Sequence, residues 1–125
     1  MDKHMLSYDV TENITAEKVG SGDLPVLSTP ALLAMMENCA KELLSTQLSD
    51  QETSVGSSVE LKHLGPSPVG SAINVQAVIT EHTNKKVTFQ IEAYENAKMI
   101  GQALHTRVIV DNEQFMRKMK ENHNM

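Results

Sequence analysis

The chain has 125 residues, sixteen acidic against eleven basic, a formal net charge of −5 and one cysteine, Cys39. A chain of this length is expected to form one compact domain, 1–125, burying roughly two-thirds of its unfolded surface without metal or disulfide. A lone cysteine excludes an intramolecular disulfide and fits a reducing, cytoplasmic setting. With only two arginines, Arg107 and Arg117, there is no clustered basic face for nucleic acid. No run approaches the ~18 apolar residues of a membrane span, and Met1–Val10 holds no apolar stretch of signal-peptide length.

In chain order, Tyr8 to Ile14 reads as a possible first strand. Ser28-Thr29-Pro30 then places a capping hydroxyl, read as that of Thr29, just before a proline at the first helical position. Behind it Ala31, Leu32, Leu33, Ala34, Met35, Met36, Cys39, Ala40, Leu43, Leu44 and Leu48 cover far more than one stripe, so this helix is expected to be wrapped by other structure. After Ser49–Thr53 the pattern changes to period two, with Val55, Val59, Leu61 and His63 expected on one face of a strand that ends at the turn-rich Gly65–Gly70. Ile73 to Ile79, Val87 to Ala93 and roughly Met99 to Val110 follow as further strands. They are separated by the hairpin-sized Thr83–Lys86 and Glu95–Lys98. A short helix from Asn112 to about Lys120 closes the chain. The expected layout is α+β: one long apolar helix buried by an antiparallel meander of four strands, with exposed edges of the kind that dimerisation covers.

Five residues carry candidate chemistry. His63 puts an imidazole on an apolar strand face, where burial would keep it neutral near pH 7 as a general base requires; a hydrogen-bonded core histidine is the plainer alternative. Glu37 sits in the apolar helix, either as a carboxylate delivered to a pocket or as the partner of Lys41 on a wet helix edge. Thr29 is either a cap alone or a hydroxyl that, beside helix N–H groups, could steady a developing negative charge. Eight residues along a helix is roughly 12 Å, so Thr29 and Glu37 cannot share a small site within one continuous helix and would need groups from a second subunit or opposite ends of one substrate. Gly56 inside a strand either weakens it or permits close approach of a ligand. Arg107 could pair with Glu37 or another acid, or bind a substrate phosphate. The five histidines show no metal spacing, and no glycine-rich nucleotide loop or nucleophile elbow is present, so no metal or other cofactor is expected.

Three segments together resemble the hotdog-fold thioesterases, most closely the fluoroacetyl-CoA thioesterase-like group: Pro25-Val-Leu-Ser-Thr-Pro-Ala-Leu-Leu-Ala-Met-Met-Glu37, Ser54-Val-Gly-Ser-Ser-Val-Glu-Leu-Lys-His63 and Gly101-Gln-Ala-Leu-His-Thr-Arg107. The resemblance runs from about Val19 to Lys118. It implies a hotdog fold, a sheet wrapped around a central helix, with paired subunits and acyl-CoA sites between them. It also implies a catalytic set of Thr29, Glu37 and His63, with Gly56 and Arg107 at the family's glycine and arginine positions. A second subunit would resolve the spacing of Thr29 and Glu37. One departure stands out: Gly20–Leu27 contains no phenylalanine, whereas the name-giving enzyme has aromatic residues near its acyl pocket, so fluoroacetyl-CoA is not the expected substrate.

The function expected on this resemblance is hydrolysis of an acyl-CoA thioester to a carboxylic acid and free CoA, by a cytoplasmic homodimer or larger assembly. A non-catalytic hotdog protein that binds acyl-CoA as sensor or carrier is the alternative. A hydratase on the same fold is disfavoured because no Asp and His arrangement of that type is evident.

Overall fold

The computed structural model describes residues 2–123. Strand β1 (Lys3–Asp9) is followed by a short 3₁₀ turn (Glu12–Ile14), helix α1 (Ala16–Val19) and the long helix α2 (Thr29–Ser45). Strands β2 (Glu52–His63), β3 (Ala72–His82), β4 (Lys86–Glu95) and β5 (Lys98–Asp111) come next, and α3 (Asn112–His123) ends the described chain. This is the α+β hotdog arrangement, an antiparallel sheet of five strands holding one long helix.

The first strand lies earlier than Tyr8 to Ile14. Its inward residues His4, Leu6 and Tyr8 are only half-buried, so their alternation is weak in composition, and pairing with β3 is what makes the segment a strand. The chain then turns at Thr11–Thr15, where the Thr15 hydroxyl donates to the Glu12 carbonyl at 2.9 Å.

The sheet order is β1-β3-β4-β5-β2, so only β3, β4 and β5 form a meander. The four-strand meander read from the sequence is corrected here: β2 pairs with β5 across the sheet and not with β3. The connection through Gly65-Pro66-Ser67-Pro68 is no hairpin. It crosses the end of the sheet, pinned by the Leu27 amide on the Ser67 carbonyl (2.9 Å) and by the Val10 amide on the Ser71 carbonyl (2.9 Å). Gly70, at φ +96°, makes the turn that an L side chain would strain.

Helix α2 buries Leu32, Met35, Met36, Cys39, Ala40, Leu43 and Leu44 against the sheet, where they meet Ile73, Val75, Phe89, Ile91 and Ile100. Each such large side chain contributes about 1.5–3 kcal/mol relative to exposure. The wrapping is one-sided in this chain, because Ala34 and Lys41 face solvent. Burial in this core pushes the Cys39 thiol up to about 11, which keeps it protonated and inert.

The edge strand β2 contains a register shift between Gly56 and Ser58. On its far side Val59, Leu61 and His63 oppose His105, Ala103 and Gly101, the buried face of β5. On the near side Gly56 opposes Arg107 and Ser54 opposes Ile109, so these two now point inward while Val55, opposite Val108, points out. The expected common face of Val55 with Val59, Leu61 and His63 is therefore wrong. The extra residue at the bulge reverses the alternation and turns a glycine, not a valine, toward the helix.

Candidate active site

The start of α2 differs from the sequence reading in one respect that matters. Ser28, buried and extended at φ −75°, ψ 150°, is the N-cap, and its hydroxyl accepts the Ala31 amide at 3.2 Å. Thr29 is the first helical residue, with Pro30 behind it. Because Ser28 satisfies the helix end, the exposed Thr29 hydroxyl is released from capping. It lies 2.8 Å from His63 Nδ1, at the end of β2. The two residues share an open cleft of about 360 Å³ edged by Val26, Leu64 and Pro66.

Desolvation lowers the His63 pKa below the ordinary imidazole value of 6.5, and the Gly65 backbone only partly offsets it. Nε2 is shielded from water and makes no full hydrogen bond. A neutral ring whose Nδ1 meets a hydroxyl is equipped to accept a proton.

Glu37 lies deeper, on the same helix, and belongs to a second cluster. Its Oε2 is 3.8 Å from Arg107 Nη1 and 4.0 Å from His105 Nε2. The ion-pair alternative with Lys41 gives way to this inward pairing: the Glu37 side chain is 40 % exposed, while those of Arg107 and His105 are almost wholly buried. Gly56 makes the approach possible, since a Cβ on it would stand 2.6 Å from Glu37 Oε2 and 3.2 Å from the His105 ring. Gly56 thus admits a carboxylate of its own chain.

Arg107 is held from three sides. Its Nε donates to Ser54 Oγ at 2.7 Å, Nη2 to the Ser54 carbonyl at 3.0 Å, and Nη1 approaches His105 Nε2 at 3.1 Å. Burial lowers the Arg107 pKa, with Glu37 pulling it back up. His105 Nδ1 lies 2.8 Å from the Ser58 carbonyl, and its ring stacks on Phe89 with centroids 6.0 Å apart. Desolvation lowers the His105 pKa as well; Ser58 opposes the shift, Arg107 adds to it and Glu37 opposes it.

One chain therefore brings Thr29 to His63, and Glu37 to Gly56 and Arg107. The two groups are separated by the roughly 12 Å of helix between Thr29 and Glu37. Ser28, Ser54 and His105 were missed as contributors. The signal for His105 was present, since it shares strand parity with Arg107, but nothing in the pattern of β5 alone decided which parity faced inward.

Residues 10–113 match the family described as FlK, fluoroacetyl-CoA-specific thioesterase. The fluoroacetyl-CoA thioesterase of Streptantibioticus cattleyicolor is 22 % identical over 96 residues, covering 77 % of this chain and 69 % of that protein. The crystal structure of the fluoroacetyl-CoA thioesterase FlK superposes with a TM-score of 0.89 at 18 % identity, over 96 % of this chain and 93 % of the other. A thioesterase superfamily member from Thermus thermophilus gives 0.86 at 26 % identity, over 98 % and 93 %. A hot-dog-like protein from Thermanaerovibrio acidaminovorans gives 0.87 at 20 % identity, over 96 % and 89 %. With the match spanning α2, strands β2 to β5 and both polar clusters, the chain belongs to the fluoroacetyl-CoA-specific thioesterase family and is a thioester hydrolase.

Proposed function

We propose that this chain, acting as one hotdog domain in a cytoplasmic homodimer, hydrolyses an acyl-CoA thioester at a site made by Thr29 and His63 of one subunit and Glu37 of the other. The observation that carries the reading is the 2.8 Å contact between the uncapped Thr29 hydroxyl and His63 Nδ1 at the rim of an open cleft. His63 receives the proton of the attacking oxygen, whether that of the Thr29 hydroxyl or of a water beside it. The helix-start N–H left over by the Ser28 cap, that of Thr29, or the Gly56 N–H polarises the thioester carbonyl, and His63 returns the proton to the departing CoA thiolate. Glu37 orients the attacking oxygen. Water is consumed, and a carboxylic acid and free CoA leave.

The dimer reading is supported by β2, which lies at the edge of the sheet with Ser57 to Glu60 exposed. A free edge is a template for strand pairing. Antiparallel pairing of β2 with its copy about a two-fold axis near Glu60 sets the His63 end of one strand beside the Gly56 end of the other. Gly56 carries Glu37 against it, so the pairing would close both halves of the site twice over. The aliphatic rim of Val26 and Leu64, with no phenylalanine in 20–27, points away from fluoroacetyl-CoA as the substrate.

The test is release of free thiol from a panel of short, branched, aromatic and long acyl-CoAs, with light scattering at micromolar concentration. Turnover of at least one substrate by a dimer, strongly reduced in Thr29→Ala and Glu37→Gln, is expected. Tight binding without turnover would replace hydrolysis by acyl carriage, and an active monomer would overturn the shared site.

A further inference from the structure

The polar cluster beneath Glu37 contains one titratable residue to which neither the sequence motifs nor the reaction above gives a part. His105 is 1 % exposed, on β5, and both of its ring nitrogens are engaged. The Ser58 carbonyl only accepts, so Nδ1 carries the proton; the Arg107 guanidinium only donates, so Nε2 is bare. One form of the ring satisfies both contacts, the neutral Nδ1–H tautomer. An apolar side chain would fill this part of the core without needing either bond, so the two bonds themselves require explanation.

Every element packed around the ring supplies a group that faces it: Glu37 from α2, the Ser58 carbonyl and Gly56 from β2, Phe89 from β4 and Arg107 from β5 itself. The Ser58 carbonyl lies at the edge of the β2 bulge, and Gly56, on the other edge, is the surface against which the Glu37 carboxylate rests. Of the three groups that hold Arg107, Ser54 fixes one side of the guanidinium through Nε and Nη2, and His105 fixes Nη1, the nitrogen directed at Glu37.

We propose that His105 is a positioning residue for thioester hydrolysis: its Nδ1–H bond to the Ser58 carbonyl fixes the tautomer, and as a bare-Nε2 acceptor it aims the Arg107 Nη1 group at Glu37. The inference rests on the placement of Glu37 in the reacting set. A protonated ring would present N–H to the N–H of Arg107, and the acceptor left to it is Glu37 Oε2, 4.0 Å away. The carboxylate would then be drawn off Arg107 toward the ring. The neutral tautomer thus keeps Glu37 available to the neighbouring active site.

Three substitutions separate this role from simple filling of the core. His105→Gln extends an amide oxygen to the place of Nε2 and can accept from Arg107; His105→Asn reaches Ser58 but not Arg107; His105→Leu reaches neither. Per folded dimer, His105→Gln is expected to stay within about 3-fold of native kcat. His105→Asn and His105→Leu should lower kcat roughly 10- to 100-fold with KM nearly unchanged, the scale of a misplaced reacting group. In an Arg107→Met background His105→Asn should add nothing. Equal activity of the Asn and Gln variants, losses in both that follow melting temperature alone, or effects that multiply in the Arg107→Met background would overturn the proposal. ¹⁵N NMR of His105 reads the placement without turnover, so it stands apart from the choice of substrate. The Nδ1–H tautomer is expected, with a pKa that rises in Arg107→Met as the guanidinium charge is removed; an Nε2–H tautomer would refute the arrangement. Absence of turnover in the native protein, with the NMR result as expected, would count against the hydrolytic reading and not against the arrangement.

Discussion

The rim pair and the buried cluster solve the same problem, holding a reactive polar group, in opposite ways. Thr29 and His63 hold each other by one hydrogen bond at the mouth of an open cleft, and the support comes from elsewhere: Ser28 caps the helix, and the Gly65–Pro68 crossing fixes the strand end. Glu37, itself half-exposed, is held from beneath, by a buried arginine whose contacts run through Ser54, His105 and the β2 bulge. A rim group with few partners can be removed with little disturbance to the fold. A group embedded in a buried network shares its energy with neighbours left unsatisfied when it is cut.

The largest expected effect tests the rim. His63→Ala should lower kcat about 10²- to 10⁴-fold, the usual contribution of a positioned base, with a melting temperature and dimer content close to native. Loss of folding instead, or unchanged turnover of the best substrate, would mean that the imidazole is structural and that the contrast with the buried cluster fails.

Gly56→Ala tests the cluster through its tightest point. A methyl 2.6 Å from Glu37 Oε2 must displace the carboxylate, the more movable neighbour, rather than the β2 backbone. A fall in kcat of roughly 10- to 100-fold, with stability reduced by no more than about 1 kcal/mol in a denaturant titration, is expected. Native turnover would show that the position of Glu37 is immaterial.

Acid titration of stability compares the two regions directly. Burial holds both His63 and His105 below the 6.5 of a free imidazole. Below that value the unfolded chain takes up protons that the folded chain resists, so stability is fully present above about pH 6.5 and declines as the pH falls toward the folded values. Melting temperature should drop by a few degrees between neutral and mildly acidic pH. His105→Gln should flatten this decline more than His63→Ala, because the His105 ring is the more deeply buried. Equal flattening would remove the distinction of depth.

The smallest effect is the control. Lys41 is exposed on the outer side of α2, while Glu37 turns inward to Arg107. Lys41→Ala should change stability by less than about 0.5 kcal/mol and leave kcat within error. A larger change in either would restore the surface ion pair as the role of Glu37.

Much of the fold was legible because hydrophobic period is local information. The helix behind Ser28 and the strands at 73–79 and 87–93 carry it plainly, and the hairpin signals at 83–86 and 95–98 coincide with the observed connections. The Thr29, Glu37 and His63 set was not carried by period: it came with the family resemblance, and the β2 parity that grouped Val55 with His63 failed at the bulge. The cap was misassigned because Ser28 and Thr29 are chemically alike, and what separates them is that Ser28 is buried beneath the Ile14 carbonyl that its amide reaches.

From the chain alone one reads where the long helix and the later strands run, since those follow from short-range spacing, while the choice of Thr29, Glu37 and His63 as reacting groups comes from the family resemblance. The partner of β2, the reversal of its alternation at Gly56, the inward face of β5 and the network joining Ser54, His105 and Arg107 to Glu37 emerge with the packed fold. Those depend on which strand closes the sheet and on how one extra residue is absorbed at its edge. Both are settled by contacts between residues some fifty positions apart, such as Ser54 with Arg107 and Ser58 with His105, for which a single sequence has no period to read.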